Sequence, residues 1–114
     1  AKAQVFVKGE KEPLKFCSVK DGFVYVLQPE NAKRTVAFWV SDFGNKKDIP
    51  LHEKMLLAQK ALFNAGSDVR GAMGKSILPF ATKEEVQAFT KEHGGTIVNY
   101  SEVNLGLLKS LKGH

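Results

Sequence analysis

Residues 4–8 (QVFVK) alternate between polar and apolar side chains, the pattern of a half-buried β-strand. Residues 9–13 (GEKEP) are turn formers, and residues 14–16 (LKF) again suit a strand. The pattern therefore predicts a β-hairpin at the start of the chain.

After this hairpin the apolar spacing lengthens to that of a helix, which is predicted to begin at Ser18 and to end at Pro29. One face carries the apolar residues Val19, Phe23 and Leu27. Gly22, inside the helix, costs about 1 kcal/mol relative to alanine. We therefore expect packing to require a glycine there.

Residues 35–40 (TVAFWV) are nearly all apolar, which is typical of a strand covered on both faces. Residues 48–63 are ambiguous. Pro50 is a good first helical residue, and one helical face could be formed by Met55, Leu56, Ala58 and Leu62. An internal repeat favours a strand at 61–65 that matches residues 4–8, so we predict a helix that gives way to a strand.

The rest of the chain follows a similar order. Residues 66–68 and 71–74 contain the loop-forming glycines, residues 76–80 suit a strand, and Thr82 caps a helix that presents Val86, Phe89 and His93. Gly94-Gly95 is a typical helix stop. Residues 96–100 suit a closing strand, and a short amphipathic tail helix follows, with Val103, Leu107, Leu108 and Leu111 on its apolar face.

Two strand-to-helix junctions are nearly the same sequence. Residues 14–23 (LKFCSVKDGF) are echoed 64 positions later by residues 78–87 (LPFATKEEVQ). In each copy a hydroxyl residue (Ser18, Thr82) precedes an acid (Asp21, Glu85) by three positions, the spacing of a capping box.

The repeat predicts an α+β fold. We expect two homologous strand-strand-helix-strand (ββαβ) halves, about 3–43 and 60–101, which share one core in a single domain 1–114, plus a short C-terminal helix. The alternative is that the two junctions resemble each other by chance.

The composition is that of an ordinary globular domain, with 114 residues, 43% hydrophobic and 25% charged. No apolar run approaches the roughly 20 residues of a membrane-spanning helix. The chain has no starting methionine and no signal peptide, so we expect a processed product or a fragment. Its single cysteine excludes an internal disulfide.

The net charge is +5, from 17 basic and 12 acidic residues. The lysines are scattered and interleaved with acids, and neither an aromatic-basic RNA-binding motif nor a zinc-finger spacing occurs. We therefore predict a solvated basic surface and no nucleic-acid partner.

The sequence lacks the motifs of common enzyme classes, such as Gly-x-Ser-x-Gly and His-Glu-x-x-His. Gly74-Lys75-Ser76 lacks the earlier glycine of a phosphate-binding loop, since residue 69 is valine. Cys17 could be a nucleophile if a histidine (His52, His93 or His114) lay beside it, but a small cysteine at such a junction is usually buried. We predict that the chain is not an enzyme.

Met73 lies between Gly71 and Gly74 in a predicted loop. Methionine usually fills gaps in a core, but a core methionine is less expected between loop glycines. A thioether is also a soft ligand that suits Cu(I). The residues alone leave both roles open.

Several motifs together resemble a known family. GAMG at 71–74, LPFA at 78–81 and GG at 94–95, with FCS at 16–18 and FWVSDF at 38–43, are similar to the NosL family, from about residue 3 to 111. The resemblance implies a fold of two ββαβ halves. It also implies a lipid-anchored periplasmic copper chaperone, an accessory protein of nitrous oxide reductase whose partner is the apo-enzyme or its maturation machinery.

The family holds Cu(I) with soft sulfur ligands, from a Cys-Gly-Met motif near the mature N-terminus and from the methionine of a Met-Gly loop. The resemblance thus assigns Met73 as the metal ligand of this chain, in a loop that reads Ala-Met-Gly where many relatives have Pro-Met-Gly. The Cys-Gly-Met motif would lie before Ala1, and Cys17 belongs to a different motif. The copper site of residues 1–114 alone is expected to be incomplete.

Two functions of different classes remain. The first is a non-enzymatic copper chaperone that delivers Cu(I) to nitrous oxide reductase. The second is a protein-interaction module that assists the assembly of a periplasmic metalloenzyme and binds no metal. We predict the first, and the missing Cys-Gly-Met motif and the apolar tail helix are the support for the second. The sequence leaves the roles of Cys17, His52 and His93 open.

Overall fold

A computed structural model of the chain describes residues 2–44, 54–71 and 74–111. The first half is built from β1 (Ala3–Val7), β2 (Leu14–Phe16), α1 (Val19–Val26), α2 (Pro29–Arg34) and β3 (Thr35–Ser41). β1 lies between β2 and β3 and pairs antiparallel with both. A short strand, β4 (Met55–Leu57), extends this sheet at the β3 edge.

The second half repeats this arrangement. Its elements are β5 (Leu62–Gly71), β6 (Gly74–Phe80), α3 (Lys83–His93) and β7 (Thr96–Asn99), followed by α4 (Leu105–Ser110). β5 lies between β6 and β7 and is antiparallel to both. The predicted α+β fold, two ββαβ units with a C-terminal helix, is confirmed.

The strand registers show where the halves differ in length. Ala3 pairs with Phe16 and Val40, whereas Leu62 pairs with Phe80 and Asn99. The residues paired across the hairpin are therefore 16 − 3 = 13 positions apart along the chain in the first half and 80 − 62 = 18 positions apart in the second. From the second strand to the third, the separation is 40 − 16 = 24 positions in the first half and 99 − 80 = 19 in the second. Helix α2 accounts for the longer return of the first half.

Both strand-to-helix junctions have the predicted caps. Ser18 Oγ accepts a hydrogen bond from Asp21 N at 3.1 Å, and Thr82 Oγ1 accepts one from Glu85 N at 3.2 Å. Helix α1 ends before Pro29, as predicted, but Pro29 then begins α2, which the pattern did not predict. Proline suits a first helical position because it has no N–H to leave unpaired.

The helix predicted within residues 48–63 is wrong where the structure describes it. Met55–Leu57 is a strand, with Leu57 opposite Trp39 of β3. The helical spacing of the apolar residues is accidental, since they belong to β4, to β5 and to the 3-10 turn Ala58–Lys60 between them. Pairing with the β3 edge satisfies backbone groups that a helix would have satisfied internally. Residues 48–53 lie outside the described residues.

The loop predicted at residues 66–68 is also wrong, because β5 continues to Gly71. The register with β6 shifts between Ala65 and Arg70, so the extra residues form a bulge within the hairpin. A glycine inside a strand often marks such a bulge rather than the end of the strand.

The strand at 35–40 is confirmed, but it is not covered on both faces. Phe38 and Val40 are buried on one face, whereas Ala37 and Trp39 on the other face are only partly buried. The apolar run reflects one core face and one partly exposed face.

One core joins the two halves, and Phe23 of α1 lies at its centre. Phe23 is 1% exposed, and its ring centroid lies 5.1 Å from Phe38, 5.2 Å from Phe63 and 5.6 Å from Tyr100. Phe38 belongs to the first sheet, Phe63 to the second, and Tyr100 follows β7. A single side chain therefore contacts both sheets, and the shared core is confirmed.

Gly22 lets α1 pack closely on the first sheet. A Cβ at this position would lie 2.9 Å from Phe38 Cε1 and 3.0 Å from Ala3 Cβ. The packing reason expected for a glycine in this helix is confirmed.

The predicted tail helix docks on the core through buried Val103, Leu108 and Leu111. It begins at Leu105, where Asn104 Oδ1 accepts a hydrogen bond from Leu107 N at 2.8 Å. No helix in the described part of the chain is long and apolar enough to cross a membrane.

Gly94 and Gly95 form a matched pair for testing the α3–β7 turn, since both have positive φ, +75° and +93°. A Cβ on Gly94 would meet nothing within 4 Å, whereas one on Gly95 would lie 2.7 Å from Asn64 Oδ1 and 2.9 Å from Ala65 O. We expect Gly94→Ala to lower the free energy of unfolding by roughly 1–2 kcal/mol through backbone strain. Gly95→Ala should lower it by at least about 1 kcal/mol more. Urea denaturation measures both, and equal losses would contradict the close packing of Gly95.

Tyr100 makes the stability depend on alkaline pH. Burial raises the pKa of its hydroxyl above the ordinary value of 10.0, because desolvation disfavours the phenolate. The folded state thus holds the proton more tightly than the unfolded state. This contribution to stability is complete below pH about 10 and is lost as the pH rises through the folded pKa. We expect the free energy of unfolding to fall more steeply above pH about 10 in the wild type than in Tyr100→Phe. Parallel curves in urea titrations at several pH values would refute this.

Candidate metal site

An open cleft of about 610 Å³ lies between the first half and β6. Its walls come from the chain at Lys2, the β2–α1 junction, the end of β3, the start of β4 and residues 74–79. The cleft is therefore formed where the two halves meet, beside the shared core, to which its lining residues Val19 and Ile77 belong.

The first wall is fixed by the backbone of Lys2. Lys2 N donates to Phe16 O at 3.0 Å, and Ser41 N donates to Lys2 O at 2.9 Å. These bonds continue the pairing of β1 with β2 and β3 by one residue. Any residues that precede Lys2 consequently join the fold at the cleft.

The opposite wall is β6, which is held near both of its ends. Lys75 N donates to Leu111 O at 3.1 Å, and Phe43 N donates to Pro79 O at 2.8 Å. Lys20 Nζ donates to Lys75 O at 3.2 Å. Because Lys20 is only 9% exposed, this bond ties α1 to β6 inside the contact between the halves.

Met73, the predicted metal ligand, lies outside the described residues, so its role stays a prediction. Its neighbour Gly74 pairs with Gly71 at the end of the β5–β6 hairpin and lines the cleft. Lys2 lines the same cleft. The structure thus brings together the two points of the chain next to which the resemblance places sulfur ligands.

Cys17 is exposed and lines the cleft, so the expectation that it is buried is wrong. It follows the last residue of β2 and precedes the cap Ser18, so it belongs to neither packed face. Its counterpart Ala81 is exposed in the same way. The repeat contained this signal, since both copies place a small residue between a strand end and a helix cap.

His93 lies elsewhere. Its Nδ1 is 2.9 Å from Asp68 Oδ1, and its ring stacks on Phe89 with centroids 4.5 Å apart. It is not among the residues that line the cleft. His52 and His114 lie outside the described residues. Within the described part of the chain, therefore, no histidine is placed beside Cys17, and the nucleophile hypothesis gains no support.

The cleft is rich in lysines. Residues 2–44, 54–71 and 74–111 contain no group of three or more His, Cys, Asp or Glu side chains that could hold a metal ion. The lining includes Cys17, the carboxylates of Asp21 and Asp42, and the lysines Lys2, Lys20, Lys54 and Lys75. Such a lining repels a bare cation. A metal ion would need strongly binding soft ligands there, and among the described lining residues the thiol of Cys17 is such a ligand.

The exposure of Cys17 can be tested by labelling. We expect one equivalent of a maleimide to react with the native chain at a rate within about tenfold of that for the urea-unfolded chain, because an accessible thiol needs no unfolding to react. Mass spectrometry at timed intervals measures both rates. Protection of about a hundredfold or more would show that Cys17 is buried.

Comparisons with known proteins point to one family. The family model described as NosL matches residues 1–108. The chain is 32% identical over 106 residues to the copper-binding lipoprotein NosL of Achromobacter cycloclastes, across 90% of this chain and 55% of that protein. It is 31% identical over 96 residues to the copper-binding lipoprotein NosL of Stutzerimonas stutzeri, across 83% and 50%. The chain thus spans about half the length of these curated relatives.

Solved structures share the fold. The crystal structure of the copper chaperone NosL from Shewanella denitrificans has a TM-score of 0.81 at 28% identity and covers 92% of this chain and 79% of that one. The solution structure of apo-NosL from Achromobacter cycloclastes has a TM-score of 0.66 at 31% identity, with 94% and 88% covered. None of these proteins is named as an enzyme.

Proposed function

The chain belongs to the NosL family, and on this premise we propose that it is a periplasmic copper chaperone that delivers Cu(I) to nitrous oxide reductase. Relatives named as a copper-binding lipoprotein and a copper chaperone support the metal. The lipoprotein name supports a membrane-anchored parent protein. The proposal also includes the Cu(I) state of the metal, the periplasmic location, and apo-reductase or its maturation machinery as the acceptor.

One observation links the proposed function to particular residues: Lys2, Cys17 and Gly74 line a single cleft. Gly74 is bonded to Met73, and Lys2 is the point at which a preceding Cys-Gly-Met segment would reach the fold. In our proposal, sulfur ligands from both segments hold one Cu(I) ion at this cleft. Soft sulfur ligands select Cu(I) over harder ions.

A site of this kind suits a carrier rather than an enzyme. The proposed ligands are few and belong to segments that flank an open cleft, so an acceptor's ligand can bind the ion before all the carrier's ligands have left. Transfer by such ligand exchange releases no free copper. A closed cage of four ligands would hold the ion more firmly and would slow its release.

The decisive experiment compares the two methionines of the chain. Met73→Leu removes the thioether and keeps an apolar side chain, and Met55→Leu makes the same change on β4, outside the cleft lining. We expect Met73→Leu to weaken Cu(I) binding at least about tenfold, or ~1.4 kcal/mol, and Met55→Leu to change it less than about twofold. Anaerobic competition with a chromophoric chelator measures both, in residues 1–114 and in a longer chain that carries Cys-Gly-Met before Ala1.

Equal Cu(I) affinities of the two variants would show that Met73 is not a copper ligand. If the longer wild-type chain failed to bind Cu(I), the chaperone proposal itself would be wrong. The alternative of an interaction module that binds no metal would then account for the family fold.

A further inference from the structure

We propose that the cleft is the surface on which the copper acceptor docks, and that it recognises an acidic, partly apolar segment of that protein. The proposal rests on the chaperone function above and adds the chemistry of the partner.

The charge of the lining supports an acidic partner. Four lysines and two aspartates line the cleft, a balance of 4 − 2 = +2. Lys20 and Asp42 have partners of their own, and as one cation and one anion they cancel. Lys2, Lys54 and Lys75 still outnumber Asp21 by two. These cations repel a copper ion, so they do not help the cleft to bind metal. They attract carboxylates instead and steer an acidic protein surface towards the cleft.

The apolar part of the lining gives such a segment something to pack against. Val19, Ile77, Leu78 and Pro79 line the cleft but are themselves buried, so the exposed apolar surface comes from Phe43. Phe43, two residues after β3, keeps 42% of its surface exposed although its ring contacts Phe80 and Phe89. Aromatic side chains are enriched at protein-binding surfaces.

Two other occupants lack the required charge. A second copy of the chain has the same net charge of +5 and would be repelled. Residues 45–53, which connect Gly44 to Lys54 at the cleft, contain Lys46 and Lys47 against Asp48 and Glu53, a balance of zero. An acidic partner is therefore the complementary one.

The test uses a fluorescent peptide that alternates glutamate with leucine and phenylalanine, titrated against the metal-free chain and followed by anisotropy. The cleft variant is Lys54→Glu with Lys75→Glu. The control is Lys33→Glu with Lys91→Glu, which changes the net charge equally at exposed positions on α2 and α3. We expect the cleft variant to weaken binding at least about tenfold and the control less than about threefold, with both affinities falling as salt rises.

Equal weakening by the two variants would show attraction to overall charge only and would overturn the proposal. The same holds if the wild type fails to bind the peptide at low salt. If the cleft variant unfolds, Lys54→Gln with Lys75→Gln is compared with Lys33→Gln with Lys91→Gln instead. Loss of peptide binding in a chain extended before Ala1 would identify that segment as the occupant, which also contradicts the proposal. Since no copper is present, these outcomes are independent of the Cu(I) competition that tests the chaperone function.

Discussion

The contact of Phe23 with both sheets is the constraint on which the rest of the molecule depends. Its ring packs on Phe38 of the first sheet and Phe63 of the second, so α1 cannot move with one half alone. Burying such a ring contributes about 2–3 kcal/mol, and each edge-to-face contact adds about 0.5–1.5 kcal/mol. The first turn of α1 is thereby held against β6, with Lys20 bonded to Lys75. The cleft lies where the contact between the two halves is not filled by core side chains.

The site therefore combines a fixed frame with ligands on adjoining segments. Backbone hydrogen bonds hold Lys2, Phe43 and Lys75, so the walls of the cleft do not need a metal ion to form. The proposed copper ligand Met73 belongs to the connection between two paired strands, β5 and β6. Functional residues commonly lie on connecting segments placed by a rigid scaffold, because such segments can adjust without disturbing the core. A carrier that must bind and release its ion benefits from that division.

The sequence predicted correctly those structural features that depend on residues close together in the chain. The caps at Ser18 and Thr82 and the docking of Val103 and Leu111 depend on spacing, which a sequence displays directly. The apolar spacing around Met55 predicts a helix wrongly, because the strand there exists only through pairing with β3, a contact between distant residues. Likewise, β5 passes through Gly66 as a bulge because β6 holds the strand on both sides of it. For the site, the sequence could nominate Met73 by chemistry, but it could not show that Lys2, Cys17 and Gly74 meet at one cleft.

The duplication itself indicates which residues serve the cleft rather than the fold. Features that both halves need are kept in both copies, namely the Leu-x-Phe strand end and the capping hydroxyl at Ser18 and Thr82. The copies differ where only the first junction lines the cleft: Cys17 stands opposite Ala81, and Lys20 opposite Glu84. A buried cation in the first turn of a helix opposes the helix dipole and costs desolvation, whereas an exposed acid there is favourable. Helix formation alone therefore gives no reason for a lysine at position 20. The bond from Lys20 to Lys75, which joins the two walls of the cleft, provides one.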